Sequence, residues 1–196
     1  MGPIESLRIA LILGTVRSER VGIRGARFVQ DALRARGHEV TLVDPAELAL
    51  PLLDRMYKEY PKGEAPAPLE RLATLYRAAD AFVIVSAEYN HSIPPALSNL
   101  LDHFLEEYFF RPSAIVCYSQ GPFGGVRAAM QLRAMLGELG MPSIPSLLPI
   151  PSIQKALDAN GVPQDAAVPR RFARFASELE WYAAALRAAR RDGVPY

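Results

Sequence analysis

Residues 14–22 combine residue types that bind phosphate, and they lie between an apolar run and a helical pattern. This first loop carries the hydroxyl of Thr15 and the guanidinium groups of Arg17 and Arg20. Backbone amides at the start of a helix form an anion cradle, to which arginines add charge-assisted hydrogen bonds. The loop has neither the Gly-Lys-Ser/Thr of a Walker A motif nor the Gly-x-Gly-x-x-Gly of a dinucleotide site. We interpret it as a phosphate-binding loop; the alternative is a polar turn with surface arginines.

A second polar stretch, residues 88–95, follows the most apolar strand pattern in the chain. In this second loop Tyr89 supplies an aromatic ring and Asn90 an amide, and both suit a flat ligand with polar edges, such as an isoalloxazine. Exposed backbone donors there can bond the carbonyls and N5 of such a ring. The alternative is a plain strand exit followed by a helix N-cap and helix-opening prolines. His91 lies in the same loop, and for it a surface position is the simpler interpretation.

Residues 119–127 form a third loop that is rich in glycine. Gly121, Gly124 and Gly125 lie beside the predicted start of a helix, where they permit a close approach of the backbone to a planar ligand. Arg127 either holds a nearby charge or is a solvated residue of the first helical turn. The third loop is therefore a second candidate wall for a flat ligand.

Each loop directly follows a predicted strand. Buried strands are predicted over residues 7–13, 39–43, 81–86 and 113–119, with a fifth inside 141–150. Helices are predicted over residues 24–36, 69–79, 94–108, 125–139 and 166–190, and a long loop over 46–66. This alternation predicts one doubly wound α/β domain over residues 1–196, with parallel strands and helical crossovers. Because ligands of such sheets bind beyond the carboxyl ends of the strands, the three loops are expected to hold the site.

The composition argues against several classes of protein. The 22 basic residues nearly balance the 21 acidic ones, which disfavours a nucleic-acid partner and a strongly acidic electron carrier. No apolar run reaches the length of a membrane span, and no basic segment precedes the first apolar run as in a secretory signal. The single cysteine, Cys117, indicates a reducing, cytoplasmic compartment, and its place inside a predicted strand favours burial over a nucleophilic role. No spacing of His, Cys and carboxylate residues predicts a metal site.

Taken in order, the three loops resemble those of the NADPH-dependent FMN reductase family, which includes quinone, azo-dye and chromate reductases. The resemblance spans roughly residues 7–150 and departs from the usual family pattern at Arg20, Gly22, Ala87 and Ser98. It rests on Gly14-Thr15-x-Arg17, on Glu88-Tyr89-Asn90-x-Ser92-x-Pro94-x-x-Leu97-x-Asn99-x-Leu101-Asp102, and on Ser119-x-Gly121-x-x-Gly124-Gly125-x-Arg127. One such motif would be weak, whereas three in the same order and in corresponding loops are specific.

The resemblance implies a flavodoxin-like fold, with a five-stranded parallel sheet of order 2-1-3-4-5, and an enzyme that binds FMN. It implies NADPH or NADH as electron donor and a small acceptor such as a quinone, an azo compound, a metal oxyanion or free flavin. The chemistry would take place on the flavin N5, so no catalytic side chain is expected. The implied FMN-binding residues are Thr15, Arg17 and Arg20 at the phosphate, Glu88, Tyr89 and Asn90 beside the isoalloxazine, and Ser119, Gly121, Gly124 and Gly125 along its other side.

Two other functions remain open from the sequence. A flavodoxin-type protein would carry single electrons between partners without turning over NAD(P)H, although such carriers are typically strongly acidic. A third kind of protein would bind free FMN as a diffusible substrate and release it reduced. The physiological acceptor cannot be identified, because open, flat sites select substrates by local shape.

The apolar residues after the second loop predict a homodimer or a dimer of dimers. They cover more of the predicted helix 94–108 than one core-facing stripe requires. The alternative is that both sides are buried within the monomer. These residues are Leu97, Leu100, Leu101, Phe104, Leu105 and Tyr108.

Overall fold

Five parallel strands form one sheet in the computed structural model, which describes residues 5–196. The strand order is β2-β1-β3-β4-β5, so the predicted order is confirmed. The first four residues of the predicted domain lie outside the described residues. The strands are β1 (Arg8–Leu13), β2 (Glu39–Val43), β3 (Ala81–Ser86), β4 (Ser113–Tyr118) and β5 (Ser143–Ile150).

Helices cover both faces of the sheet. On one face the helices α1 (Gly22–Ala35) and α7 (Ala167–Arg191) bury Phe28 and Phe175 in one core with Val83. On the other face the helices α3 (Ala67–Ala78) and α4 (Pro95–Asp102) bury Tyr76 and Leu97 in one core with strand residues. Every residue of β3 and β4 is buried, as expected for central strands with both faces covered. The helices are α1 (Gly22–Ala35), α2 (Pro45–Leu48), α3 (Ala67–Ala78), α4 (Pro95–Asp102), α5 (Val126–Glu138), α6 (Ile153–Ala156) and α7 (Ala167–Arg191).

The predicted helix over residues 94–108 is wrong in its second half. The α-helix ends at Asp102, and a separate 3₁₀ turn covers Glu106–Tyr108. The carbonyl of His103 accepts a hydrogen bond of 2.8 Å from the backbone N–H of Tyr57 in a distant loop. That contact replaces the bond that a continuing helix would make. The break also lets Tyr108 pack its ring edge-on against the ring of Phe82.

Five of the six apolar residues named for dimer formation are buried within the monomer and Leu105 is partly buried, so these residues do not themselves support a dimer. Leu97, Leu101, Phe104 and Tyr108 are each at most 1% exposed, and they belong to the core on the α3–α4 side. The alternative, burial within the monomer, therefore accounts for these four residues. The assembly state itself stays a prediction.

Candidate active site

The three predicted loops meet at the carboxyl edge of the sheet. They enclose a cleft of about 270 Å³, directly beyond β1, β3 and β4. Six of the predicted site residues line the cleft; Asn90 and the three glycines of the third loop do not. The lining residues are Thr15, Arg17, Glu19, Arg20, Val21, Ala87, Glu88, Tyr89, Tyr118, Ser119 and Gln120.

The first and second loops are joined by their side chains. Thr15 is buried, and its hydroxyl shares a hydrogen bond of 2.7 Å with the hydroxyl of Tyr89. The Thr15 oxygen also lies 3.4 Å from the backbone N–H of Arg17, which donates to it. These bonds fix the start of the first loop against the second loop.

The two arginines of the first loop have different surroundings. Arg20 forms a two-pronged ion pair with the buried carboxylate of Asp44, at the end of β2, and donates to the carbonyl of Thr15 at 3.0 Å. Arg17 is exposed, and its guanidinium makes no hydrogen bond to any residue in 5–196. Arg17 is thus the cation of this loop that is available to an anionic ligand, whereas the charge of Arg20 is balanced by Asp44.

Backbone amides of the first loop are available as well. Within the described part of the chain, the N–H groups of Val16, Ser18 and Glu19 donate no hydrogen bond. The following helix α1 begins at Gly22, where an added Cβ would lie 2.0 Å from the Tyr118 hydroxyl oxygen. A larger residue at this helix start would therefore displace the Tyr118 ring of β4.

The second loop is anchored to the third through Glu88. Its carboxylate accepts hydrogen bonds from the backbone N–H groups of Arg127 at 3.0 Å and Ala128 at 3.2 Å, and from the Arg127 guanidinium at 3.3 Å. Burial raises the pKa of Glu88, but these hydrogen bonds outweigh burial and the pKa is lowered overall. The Arg127 guanidinium also lies 4.3 Å from the ring centre of Phe123. Glu88 is therefore an ionised cap for helix α5, and Arg127 holds a nearby charge.

The third loop is shaped by its serine and glycines. The Ser119 hydroxyl donates to the carbonyl of Gly121 and accepts from the N–H of Gly124, both at 2.9 Å. Gly125 has φ of 79°, and an added Cβ would lie 2.7 Å from the Tyr118 carbonyl oxygen. Gly121 has open space around its Cα. The conformation of the loop thus depends on Ser119 and on glycine at position 125, while Ser119 and Gln120 are its residues at the cleft.

Sequence reasoning did not assign Tyr118 and Gln120 to the site, although both line the cleft. Tyr118 ends β4 in an apolar run and therefore reads as a core residue. Gln120 lies inside the predicted third loop, between Ser119 and Gly121, and this position could have identified it as a site residue.

The remaining nucleophilic and ligand-forming residues lie elsewhere. Cys117 is buried in β4, and burial raises the pKa of its thiol to about 12, so the predicted burial is confirmed. His38 is buried and pairs with Glu180 of α7 at 2.9 Å. Among residues 5–196, no three His, Cys, Asp or Glu side chains are grouped to hold a metal ion. No helix in that range is long and apolar enough to cross a membrane.

The residues at the carboxyl edge fit FMN. Arg17 and the unpaired amides of the first loop are suited to a terminal phosphate dianion. In the third loop, nothing lies within 4 Å of the position that a side chain of Gly121 would occupy, so the backbone is open to a flat ring there. Ligand pockets commonly measure about 300–1,000 Å³, so a cleft of about 270 Å³ would hold only part of FMN and leave the rest exposed.

Fold comparison places the chain among flavodoxin-like proteins. It aligns with a flavoenzyme NAD(P)H:(acceptor) oxidoreductase from Paracoccus denitrificans with a TM-score of 0.65, at 22% identity over 92% of this chain and 94% of that one. It also aligns with a flavodoxin from Pseudomonas aeruginosa with a TM-score of 0.52, at 22% identity over 91% and 98% of the two chains. At these identities the alignments establish the fold alone.

Sequence comparison is more specific. The sequence profile of the family described as NADPH-dependent FMN reductase matches residues 7–155. An NAD(P)H-dependent FMN reductase from Pseudomonas aeruginosa is 33% identical over 160 residues, which cover 76% of this chain and 82% of that protein. A quinone reductase from Escherichia coli K12 is 32% identical over 136 residues, which cover 67% and 70% of the two chains. The chain belongs to the NADPH-dependent FMN reductase family. It is an oxidoreductase with FMN as cofactor and NAD(P)H as electron donor, so the predicted family, enzyme class and cofactors are confirmed.

Proposed function

We propose that this chain retains FMN at the carboxyl edge of its sheet and reduces a small acceptor, such as a quinone, at the expense of NAD(P)H. The observation that carries this proposal is that, within residues 5–196, the guanidinium of Arg17 and neighbouring backbone amides have no hydrogen-bond partner, at a cleft bounded by all three loops. FMN, when bound, supplies the redox chemistry by accepting a hydride at N5 and passing electrons on. The protein residues bind and orient it.

Each predicted site residue receives a role in this proposal. Arg17 and the first-loop amides hold the phosphate, while Arg20 fixes the loop through Asp44 and the Thr15 carbonyl. Tyr89 and Asn90 border the ring, and Glu88 secures their loop to α5. The remaining site residues, all in the third loop, pass along the other side of the ring; they are Ser119, Gly121, Gly124 and Gly125.

We propose that the donor and the acceptor use the same open side of the ring in turn. The small cleft would leave part of the cofactor outside, and only Ser119 and Gln120 of the third loop line it. Hydride transfer needs the nicotinamide carbon within about 3–3.5 Å of N5, so an acceptor stacked there blocks the donor. A ping-pong order follows.

We propose further that the protein is cytoplasmic, where reduced nicotinamides and a free thiol such as that of Cys117 are both maintained. We also propose a homodimer or a dimer of dimers.

The test begins with protein purified with its flavin. We expect FMN to stay bound on a desalting column, and NADPH to reduce it in anaerobic stopped-flow measurements. Two-substrate kinetics with a quinone should give parallel double-reciprocal lines, and oxidised quinone should compete with NADPH. Intersecting lines with FMN still bound would contradict the shared-face mechanism. Flavin that NADPH cannot reduce would favour a one-electron carrier, and loss of flavin on the column would favour FMN as a diffusible substrate.

A further inference from the structure

The tip of the second loop is a two-residue turn of unusual conformation. Tyr89 and Ser92 exchange two backbone hydrogen bonds, with N···O distances of 3.0 and 2.9 Å. Between them Asn90 has φ of 50° and His91 has φ of 63°. Two left-handed residues in succession are typical of a type I′ turn, in which asparagine is tolerated and glycine is preferred at the second position. Histidine at that position is strained, and such strain persists only where the surroundings hold it.

One side chain from another element holds this turn. Gln131 of α5 donates through Nε2 to the carbonyl of His91 at 2.8 Å. Its Oε1 accepts from the Ser92 hydroxyl at 2.7 Å. The amide of Gln131 thus uses its donor and its acceptor on the two residues that follow Asn90, although the side chain is exposed and free to be solvated.

The held conformation leaves two donors unused. Within residues 5–196, the backbone N–H groups of Asn90 and His91 donate no hydrogen bond. They follow immediately after Glu88 and Tyr89, which line the cleft. We infer that Gln131 is a positioning residue, which holds the turn so that these two N–H groups are available to the polar edge of the isoalloxazine. This inference rests on the proposed function and deepens it.

The first test needs no cofactor. Hydrogen exchange in FMN-free protein reports the Ser92 amide, which donates to the Tyr89 carbonyl within the turn. In Gln131→Ala we expect this amide to exchange about tenfold faster, because the variant lacks the two hydrogen bonds that oppose opening of the turn. In the double variant Gln131→Ala/His91→Gly the slow exchange should return, since glycine adopts a positive φ without strain.

The second test measures FMN affinity by quenching of flavin fluorescence. Gln131→Ala should raise the Kd for FMN about three- to tenfold, and the added His91→Gly should return it to within about twofold of the wild type. Gln164→Ala is the matched control, because Gln164 also donates to a backbone carbonyl, that of Val162 at 3.3 Å, but does not line the cleft. If Gln131 stabilised the fold without holding this turn, glycine at position 91 would not restore the affinity for FMN.

The outcomes separate the two proposals. A wild-type protein that binds no FMN overturns the proposed function. A wild-type protein that binds FMN, with a Gln131→Ala protein that binds it equally well, overturns this inference alone. Unchanged exchange at Ser92, or a double variant without rescue, also overturns it.

Discussion

At the scale of single residues, similar side chains in the three loops have different tasks. Arg17 is unpaired, Arg20 is neutralised by Asp44, and Arg127 is shared between Glu88 and the ring of Phe123. An arginine already paired with a carboxylate contributes less net charge to a bound anion than a free one. Among these three, Arg17 is therefore the principal side chain for binding the FMN phosphate.

Replacing Arg17 tests that assignment. Arg17→Ala should weaken FMN binding by about 1.5–3 kcal/mol, the range for a hydrogen bond to a charged group. Titration of FMN-free protein, followed by fluorescence or calorimetry, gives the difference in binding free energy. Arg171→Ala is the control, since Arg171 is also exposed and its guanidinium makes no hydrogen bond within residues 5–196, but it lies on α7 away from the cleft. Equal FMN affinity of Arg17→Ala and wild type would rule out the assignment.

At the scale of elements, helix α5 begins without a capping side chain of its own. Its N-cap residue is Gly125, and the carboxylate of Glu88 accepts the N–H groups of Arg127 and Ala128 instead. A negative charge at a helix N-terminus is stabilised by unpaired amides and by the helix dipole. The same contact ties the second loop, which comes from β3, to the helix that follows β4.

This cap predicts a pH-dependent contribution to stability. The folded-state pKa of Glu88 lies below its ordinary value of 4.5, so its contribution is complete above about pH 4.5 and is lost as the pH falls through the lowered pKa. Glu88→Gln should lower the free energy of unfolding by about 1 kcal/mol at pH 7 and by less at pH 3. Urea unfolding at several pH values measures both differences.

The control for this experiment is Glu138→Gln, near the other end of α5. Glu138 is exposed, and its carboxylate accepts no hydrogen bond from residues 5–196. Its replacement should change stability little at either pH. A Glu88→Gln protein whose loss of stability is the same at pH 3 and pH 7 would show that the charge of Glu88 does not carry the effect.

At the scale of the whole molecule, one exposed apolar surface adjoins the first loop. It surrounds a groove of about 440 Å³ that is lined mostly by apolar residues, among them Val16. Leu52 is 83% exposed, and its segment is held in place by Asn99, whose side-chain amide donates to the Pro51 carbonyl and accepts from the Leu53 N–H, both at 2.8 Å. A rigidly held exposed leucine favours contact with another protein surface. The homodimer or dimer of dimers proposed above would place a second copy of this chain on this surface.

Light scattering at micromolar concentration should therefore give the mass of a dimer or tetramer. Leu52→Glu should shift the population towards monomer, because it places a charge in the buried apolar contact. Val162→Glu is the control, since Val162 is 53% exposed but does not line this groove. A monomeric wild type, or equal masses for Leu52→Glu and wild type, would contradict this assembly.

Much of the fold could be predicted from local patterns. The predicted strands over residues 39–43 and 81–86 have the bounds of β2 and β3, and the order of strands followed from the family resemblance. The spacing of apolar residues differs between strands and helices because one face of each segment is buried, and this spacing can be read from the sequence. The three loops were placed at the strand ends because each one directly follows an apolar run predicted to be a strand.

The tertiary structure alone decided which charges in those loops are free. Arg20 forms an ion pair with Asp44, which lies 24 residues further along the chain. Glu88 accepts a hydrogen bond from Arg127 of α5, 39 residues away, and Gln131 donates to the carbonyl of His91, 40 residues away. The end of α4 was likewise set by a bond from Tyr57 and not by any local stop signal. The sequence by itself determined the fold, the family and the loops of the site. The pairing of individual side chains depended on distances between residues far apart in the chain, which no local pattern contains.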